Sequence, residues 1–204
     1  MKRTLPVCSV FGSALAVTAL LTGTITLAQS PLAINTARIT IAGTSNVHDY
    51  SATTAQAKVT SVQLGDAVAG ATFWDDVQKP GGLQAFELSV PAATLKSSKD
   101  GLDKNMYKAL KVTAHPEIGF SLKRMEGTPG ALMAIGTLKI AGIEQDVTLP
   151  LKTSRTGENL AVSGELDLLM TDYGIAPPKA MMGMVKASPK IKVTFEVLLG
   201  VTST

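Results

Sequence analysis

From Ile39 to Val197 apolar and polar residues alternate with a period of two, in short runs separated by Gly, Pro, Asp and Asn. Successive side chains of an extended strand point to opposite faces, so the pattern reads as an antiparallel all-β domain with one face of each strand buried. Ile39 and Ile41 flank Thr40. Phe86, Leu88 and Val90 alternate with Glu87 and Ser89, and Ile118, Phe120 and Leu122 alternate with Gly119, Ser121 and Lys123. Leu132, Ala134, Leu138 and Ile140 share one parity; beyond an Ala141-Gly142 turn, Val147, Leu149 and Leu151 share another. Leu160, Val162, Leu166 and Leu168 continue the theme, and Ile191 to Val197 is the cleanest alternation of all. With a weaker run near Ala55 to Val62 the count is about eight strands, the number that closes a barrel wide enough for side chains or one ligand.

Two segments break the period. Asp103 to Leu110 places Leu102, Met106, Ala109 and Leu110 on one helical face and Lys104, Lys108 and Lys111 on another, which predicts a short amphipathic helix capped by Asp100 or Asp103. Tyr173 to Pro189, with its proline pair and Met181-Met182-Gly183-Met184, predicts a loop or flap long enough to be functional. Trp74, beside Phe73, is expected to cap one end of the barrel.

The first thirty residues carry a different signal. Met1-Lys2-Arg3 precedes a charge-free run from Leu5 to Ala28, and Thr26-Leu27-Ala28 sets small side chains three and one residues before Gln29. That is the layout of a secretory signal peptide, so residues 1–28 are expected to be a cleaved leader and 29–204 a single β-barrel domain, periplasmic or secreted. An uncleaved anchor is the competing reading, because the apolar run is long enough to span a bilayer. Cleavage of the 204-residue chain leaves 176 residues with 17 basic groups against 16 acidic ones and no cysteine. A mature chain so near neutrality has no general field for nucleic acid, and without cysteine it has neither disulfides nor a thiol nucleophile.

Catalytic patterns are missing. No Gly-rich phosphate loop opens a helix, the serines lack a nucleophile-elbow setting, and His48 and His115 are the only histidines. Those two could share a metal or proton site, and Met181, Met182 and Met184 could hold reduced copper; their ordinary reading is turn, pre-proline and apolar-surface residues. Lys96, Lys99, Lys104, Lys108 and Lys111 could meet an anionic head group or make a transient membrane-surface contact, against the ordinary reading of a solvated helix face. No cofactor is implied.

Four segments, in order, resemble the YceI-like lipid-binding family. Gly43-Thr44-Ser45-Asn46-Val47-His48-Asp49-Tyr50 is similar to the amino-terminal pattern of one branch, with Tyr50 where Trp is usual. Val90-Pro91 through Leu95-Lys96-Ser97, then Asp103 to Leu110, then His115-Pro116-Glu117-Ile118-Gly119-Phe120 resembles the central signature. Gly136 to Ile143 and Met170-Thr171-Asp172-Tyr173-Gly174-Ile175 resemble the late hairpin and turn. The resemblance implies an extended lipocalin-like antiparallel barrel that holds a polyisoprenoid, quinone tail or fatty-acid-like lipid, and it supplies no catalytic residue. Strand parity then nominates the lining: Phe86, Leu88 and Val90; Ile118, Phe120 and Leu122; Val147 and Leu149; Leu166 and Leu168; Val193, Phe195 and Val197. Met181, Met182 and Met184 join them as a flexible lid. Head-group selectivity is expected at the rim, from Lys104, Lys108, His48 or the Tyr173 region. The rivals are a secreted structural or interaction barrel with a solid core, and an envelope metal-binding protein.

Overall fold

In the computed structural model, residues 31–66, 70–180 and 184–202 are described. The expected signal peptide, residues 1–28, and Met181 and Met182 lie outside these. The strands are β1 (Leu32–Ser45), β2 (Asp49–Thr54), β3 (Lys58–Leu64), β4 (Leu83–Pro91), β5 (Lys96–Ser97), β6 (Glu117–Thr128), β7 (Ala131–Ile140), β8 (Ile143–Thr156), β9 (Asn159–Leu169), β10 (Lys179–Ala180) and β11 (Val185–Val201). Two α-helices accompany them, α1 (Phe73–Val77) and α2 (Asp100–Ala109).

Among the described residues eleven strands replace the expected eight, for an identifiable reason. Two long segments are each interrupted: β2 and β3 by Ala55-Gln56-Ala57, and β4 and β5 by a 3-10 turn at Ala92–Thr94. The short β10 adds the last. The hydrogen-bonded order is β3-β4-β6-β7-β8-β9-β11-β1-β2-β5, with β10 attached to β11, and every pairing is antiparallel.

That order brings the sheet back on itself. Ala52 and Thr53 of β2 pair with Ile41 and Thr40 of β1 on one side and with Ser97 and Lys96 of β5 on the other. Further along the same two segments β3 pairs with β4, while the first half of β1 approaches β3 without a ladder. The result is a curled, barrel-like sheet joined at the β2–β5 end and open along a seam at the other. Tight turns keep the central strands in register: Thr128 faces Ala131, Ile140 faces Ile143 and Thr156 faces Asn159. At the second of these Ala141 and Gly142 both have positive φ, 50° and 85°, the hand that matches strand twist in a two-residue hairpin.

The seam end is plugged by α1. Trp74 is 2% exposed and packs with Leu32, Val77, Leu160 and Leu199, and its indole N–H donates to the Glu158 carbonyl at 2.8 Å. Here the expectation that Trp74 closes one end agrees with its placement. At the other end α2 lies beside a second buried cluster that contains Leu95, Leu110, Ile140, Leu168, Met170 and Tyr173.

α2 begins three residues before the expected Asp103, and neither candidate aspartate caps it. Lys99 occupies the N-cap position without a side-chain cap bond. Asp103, inside the helix, instead turns its carboxylate to the Ser97 N–H at 2.8 Å and to Lys96 Nζ at 3.5 Å, tying α2 to β5. Those bonds, with the Ser97 contacts first, hold its carboxyl below the usual carboxylate range. Tyr107 adds a second tie by donating to the Ala93 and Leu95 carbonyls at 2.9 and 2.7 Å.

The helix ends in paired bonds from Lys111 N to Lys108 O (3.2 Å) and Val112 N to Tyr107 O (3.1 Å), a Schellman arrangement. Its left-handed position holds Lys111 at φ 53°, where glycine is the relaxed choice. Lys111→Gly is therefore expected to stabilise the fold by about 0.5–1 kcal/mol, measured as a higher denaturant midpoint at an unchanged slope.

The described residues of the expected flap from Tyr173 to Pro189 include regular structure. A 3-10 turn occupies Met170–Tyr173, and Lys179 and Ala180 pair with Lys186 and Val185 at the start of β11. Pro189 falls inside β11 where the register against β1 shifts between Gly43 and Ser45, the kind of irregularity that accommodates a missing backbone donor.

Candidate functional site

Two apolar cavities lie within the curled sheet, of about 320 and 210 Å³. Ile39, Val90, Ile118, Leu138 and Val193 line both, so the chambers adjoin at a common ring of wall residues. The outer chamber reaches the α2 end, where Leu102, Met106 and Leu110 join its wall and Lys99, Lys179 and His48 stand exposed at its rim. The inner chamber reaches the α1 plug at Val77 and Gln78. Its polar side chains are spoken for: Thr153 donates to Gln78 Oε1 at 2.6 Å, and Gln78 Nε2 donates to the Trp74 carbonyl at 2.8 Å.

Strand parity and the cavity walls can be compared residue by residue. Phe86, Leu88, Phe120, Leu122, Leu149, Leu166, Phe195 and Val197 line the inner chamber, Leu168 lines the outer one, and Val90, Ile118 and Val193 line both. Val147 shares their parity but packs against the cluster at the α2 end and lines neither cavity. Met184 is 67% exposed, on the outside of the mouth. Lys104 and Lys108 are exposed on α2 and are not wall residues; Lys99, at the helix start, takes the position expected of them.

The nominated set omitted Ile39 and Ile41 of β1, Leu138 of β7 and the apolar face of α2, all of which line the outer chamber. The same period-two and helical patterns mark these residues, so the signal was present in the sequence. His48 stands at the mouth, whereas His115 packs over the Gly142 turn. Among the described residues no group of three His, Cys, Asp or Glu side chains is placed to hold a metal ion.

Why the interior is hollow follows from inward glycines. A Cβ on Gly136 would fall 2.7 Å from Phe120 Cζ, one on Gly164 2.7 Å from Phe195 Cζ, and one on Gly43 2.4 Å from the Tyr50 hydroxyl. Gly164 is the direct cross-strand partner of Phe195, and Gly43 of Tyr50. Each ring thus lies over a missing side chain on the next strand, as part of the wall. The inward Phe120, Phe195, Val193 and Val197 accordingly stay only half-buried, which a chain packing its core at normal density would not permit.

Two wall residues of the outer chamber carry buried polar atoms without a protein partner: the hydroxyls of Tyr50 and Tyr173. Burial raises both phenol pKa values, that of Tyr173 to about 12 with a smaller contribution from the Asp172 charge. Both are therefore neutral donors at physiological pH.

An antiparallel sheet curled around a long apolar interior, plugged at one end and reached past a short helix at the other, defines an all-β curled half-barrel. A family profile described as the YceI-like domain matches residues 16–199; the chain belongs to that family. Solved structures of the same fold include BcnA from Burkholderia cenocepacia (TM-score 0.63, 12% identity, covering 81% of this chain and 96% of that one). A polyisoprenoid binding domain from Saccharophagus degradans, implicated in plant cell wall breakdown, matches with TM-score 0.62 and 10% identity, covering 85% of this chain and all of that one (100%). A YCEI protein from Campylobacter jejuni matches with TM-score 0.53 and 17% identity, covering 79% and 85%. No curated protein sequence matches the chain.

Proposed function

We propose that the protein is a non-catalytic carrier that holds one long-chain amphiphile, a polyisoprenoid, quinone tail or fatty-acid-like lipid, along the axis of its barrel. The observation that carries this reading is the pair of adjoining chambers whose shared ring is wholly aliphatic, Ile39, Val90, Ile118, Leu138 and Val193. Each methylene of a chain buried there contributes about 0.8 kcal/mol on leaving water, and the inner chamber offers no polar group that would need a partner. The polyisoprenoid binding domain from Saccharophagus, of the same fold, supports the same ligand class.

The solid-core alternative is disfavoured by the incompletely buried inward phenylalanines and the glycines beneath them. In this reading residues 1–28 export the chain and 29–204 form the carrier domain, acting in the periplasm or outside the cell. Brief contact with a lipid surface would load it. Val47 and Met184, 64% and 67% exposed, stand together at the mouth, joined by the Asn46 bond to the Met184 carbonyl at 2.9 Å, with Lys99, Lys179 and Lys186 close to the rim.

Mass spectrometry of an organic extract of the protein, purified from its own envelope, should reveal a co-purifying lipid. Absence of one, together with no binding of a fluorescent polyene, would sink the carrier reading. Leu88→Trp separates a hollow barrel from a filled one. An open chamber accepts the indole at little cost in stability and binds the polyene at least 10-fold more weakly, whereas overfilling a packed core costs roughly 1–3 kcal/mol.

A further inference from the structure

We infer that Tyr50 and Tyr173 form a head-group site for an uncharged hydrogen-bond acceptor, a carbonyl or ether oxygen at the end of the bound chain. The inference rests on the carrier reading above and adds to it a chemical class for the ligand's polar end: this barrel selects by head as well as by tail.

Among the described residues, these two hydroxyls are the only buried side-chain polar atoms that lack a hydrogen-bond partner. They belong to one place, since both rings line the outer chamber and both pack in the same cluster. A buried donor left unpaired weakens a fold, because it gives up its hydration and recovers nothing. Phenylalanine at either position would fill the same space without that cost. Gly43 makes the point for Tyr50, for its missing side chain is what lets the phenol lie against β1.

Charge decides what the phenols would receive. No Asp or Glu lines the outer chamber to compete as acceptor, and burial keeps both phenols protonated. The cations of the chamber, Lys99 and Lys179, are exposed at the rim together with His48. A phosphate would be held there, hydrated and paired, because drawing it down to two neutral phenols would bury a charge with no counter-charge. A carbonyl or ether oxygen carries no such cost and offers a lone pair to a hydroxyl that turns out of the wall toward it.

The test compares the wild type with Tyr50→Phe, Tyr173→Phe and the double variant. Each is titrated with three probes that share one C20 prenyl chain: geranylgeranylacetone, geranylgeranyl monophosphate and the corresponding hydrocarbon, in competition with a fluorescent polyene. The wild type should bind the ketone more tightly than the hydrocarbon by roughly 5- to 10-fold for each hydroxyl engaged. Each single variant should remove part of that preference and the double variant all of it. The phosphate-to-hydrocarbon ratio should stay constant across the series, and the ligand-free melting temperature should hold or rise.

Ketone preference that survives in the double variant would overturn the inference, as would a wild type that binds hydrocarbon and ketone equally. A phosphate that loses as much as the ketone would overturn the uncharged class. Variants that melt earlier and lose all three probes alike would make the hydroxyls structural and overturn it too. If the wild type bound none of the three, the carrier reading itself would fall, and this inference with it.

Discussion

Trp74→Ala should cost roughly 3–5 kcal/mol of stability, the range for removing a large buried aromatic side chain. The indole is the larger of the two buried side chains of α1, and besides it the plug is held by Val77 and by the Thr153–Gln78 bond. α1 spans only Phe73–Val77, and the two buried residues of that helix are Trp74 and Val77. Removing the indole takes away the side chain that packs under Leu32, Leu160 and Leu199, and with it the bond to the Glu158 carbonyl that fastens α1 to the β8–β9 turn. In a domain of this size each kcal/mol lowers Tm by roughly 2–4 °C. Trp74→Phe, which keeps most of the volume but cannot reach Glu158, should fall between wild type and alanine. Equal melting of the wild type and the alanine variant would mean that α1 does not plug the barrel.

Gly164→Ala should have the second largest effect, and on two observables together. The added methyl would sit 2.5 Å from the Pro150 carbonyl oxygen and 2.7 Å from Phe195 Cζ. Something must shift. The ring can leave the wall for the inner chamber, but the nearer clash is with the β8 backbone, so the β8–β9 ladder must also part locally. The expected cost is about 1–3 kcal/mol, with a loss of long-chain binding that exceeds any loss for a probe short enough to stay in the outer chamber. Adding Phe195→Leu to the same chain should return part of both. The two changes are in contact and should be non-additive in a double-mutant cycle; strictly additive values would show that the ring never rested on the glycine.

Part of the fold and of the site is legible in the sequence. Alternation at Phe86-Leu88-Val90 and at Val193-Phe195-Val197 sufficed to put those side chains inside, because in a strand the inward face follows from parity alone. Parity has no knowledge of length along the axis, so it could not separate Leu149, which reaches the inner chamber, from Val147, which lies beyond the cavities against the cluster near α2. Nor could it divide β2 from β3 or β4 from β5, since a break of three or four residues leaves little trace in composition. Five residues of α1 are too few to display a helical period.

The hollow was harder still. An inward glycine scores as a gap in the pattern until the aromatic residue across the ladder is known, and that pairing joins Gly43 to Tyr50, and Gly164 to Phe195, only once the register is set. The two unpartnered hydroxyls follow from that same three-dimensional placement. The segment around Tyr173 stood out in the sequence as a rim candidate; that its oxygen is buried beneath the rim, in company with that of Tyr50, did not.

The plug at the seam end has a practical corollary. The chain contains a single tryptophan, and it sits at the foot of the inner chamber, one helix with Val77, whose side chain lines that chamber. Fluorescence excited where the three tyrosines do not absorb therefore has one emitter and one location. A ligand whose tail ends in the outer chamber leaves that emitter's surroundings as they were, and a tail that runs the full bore arrives beside it. The protein is in this sense a depth gauge, and a series of chains lengthened one isoprene at a time would be read out by the indole as the step at which the tip touches bottom.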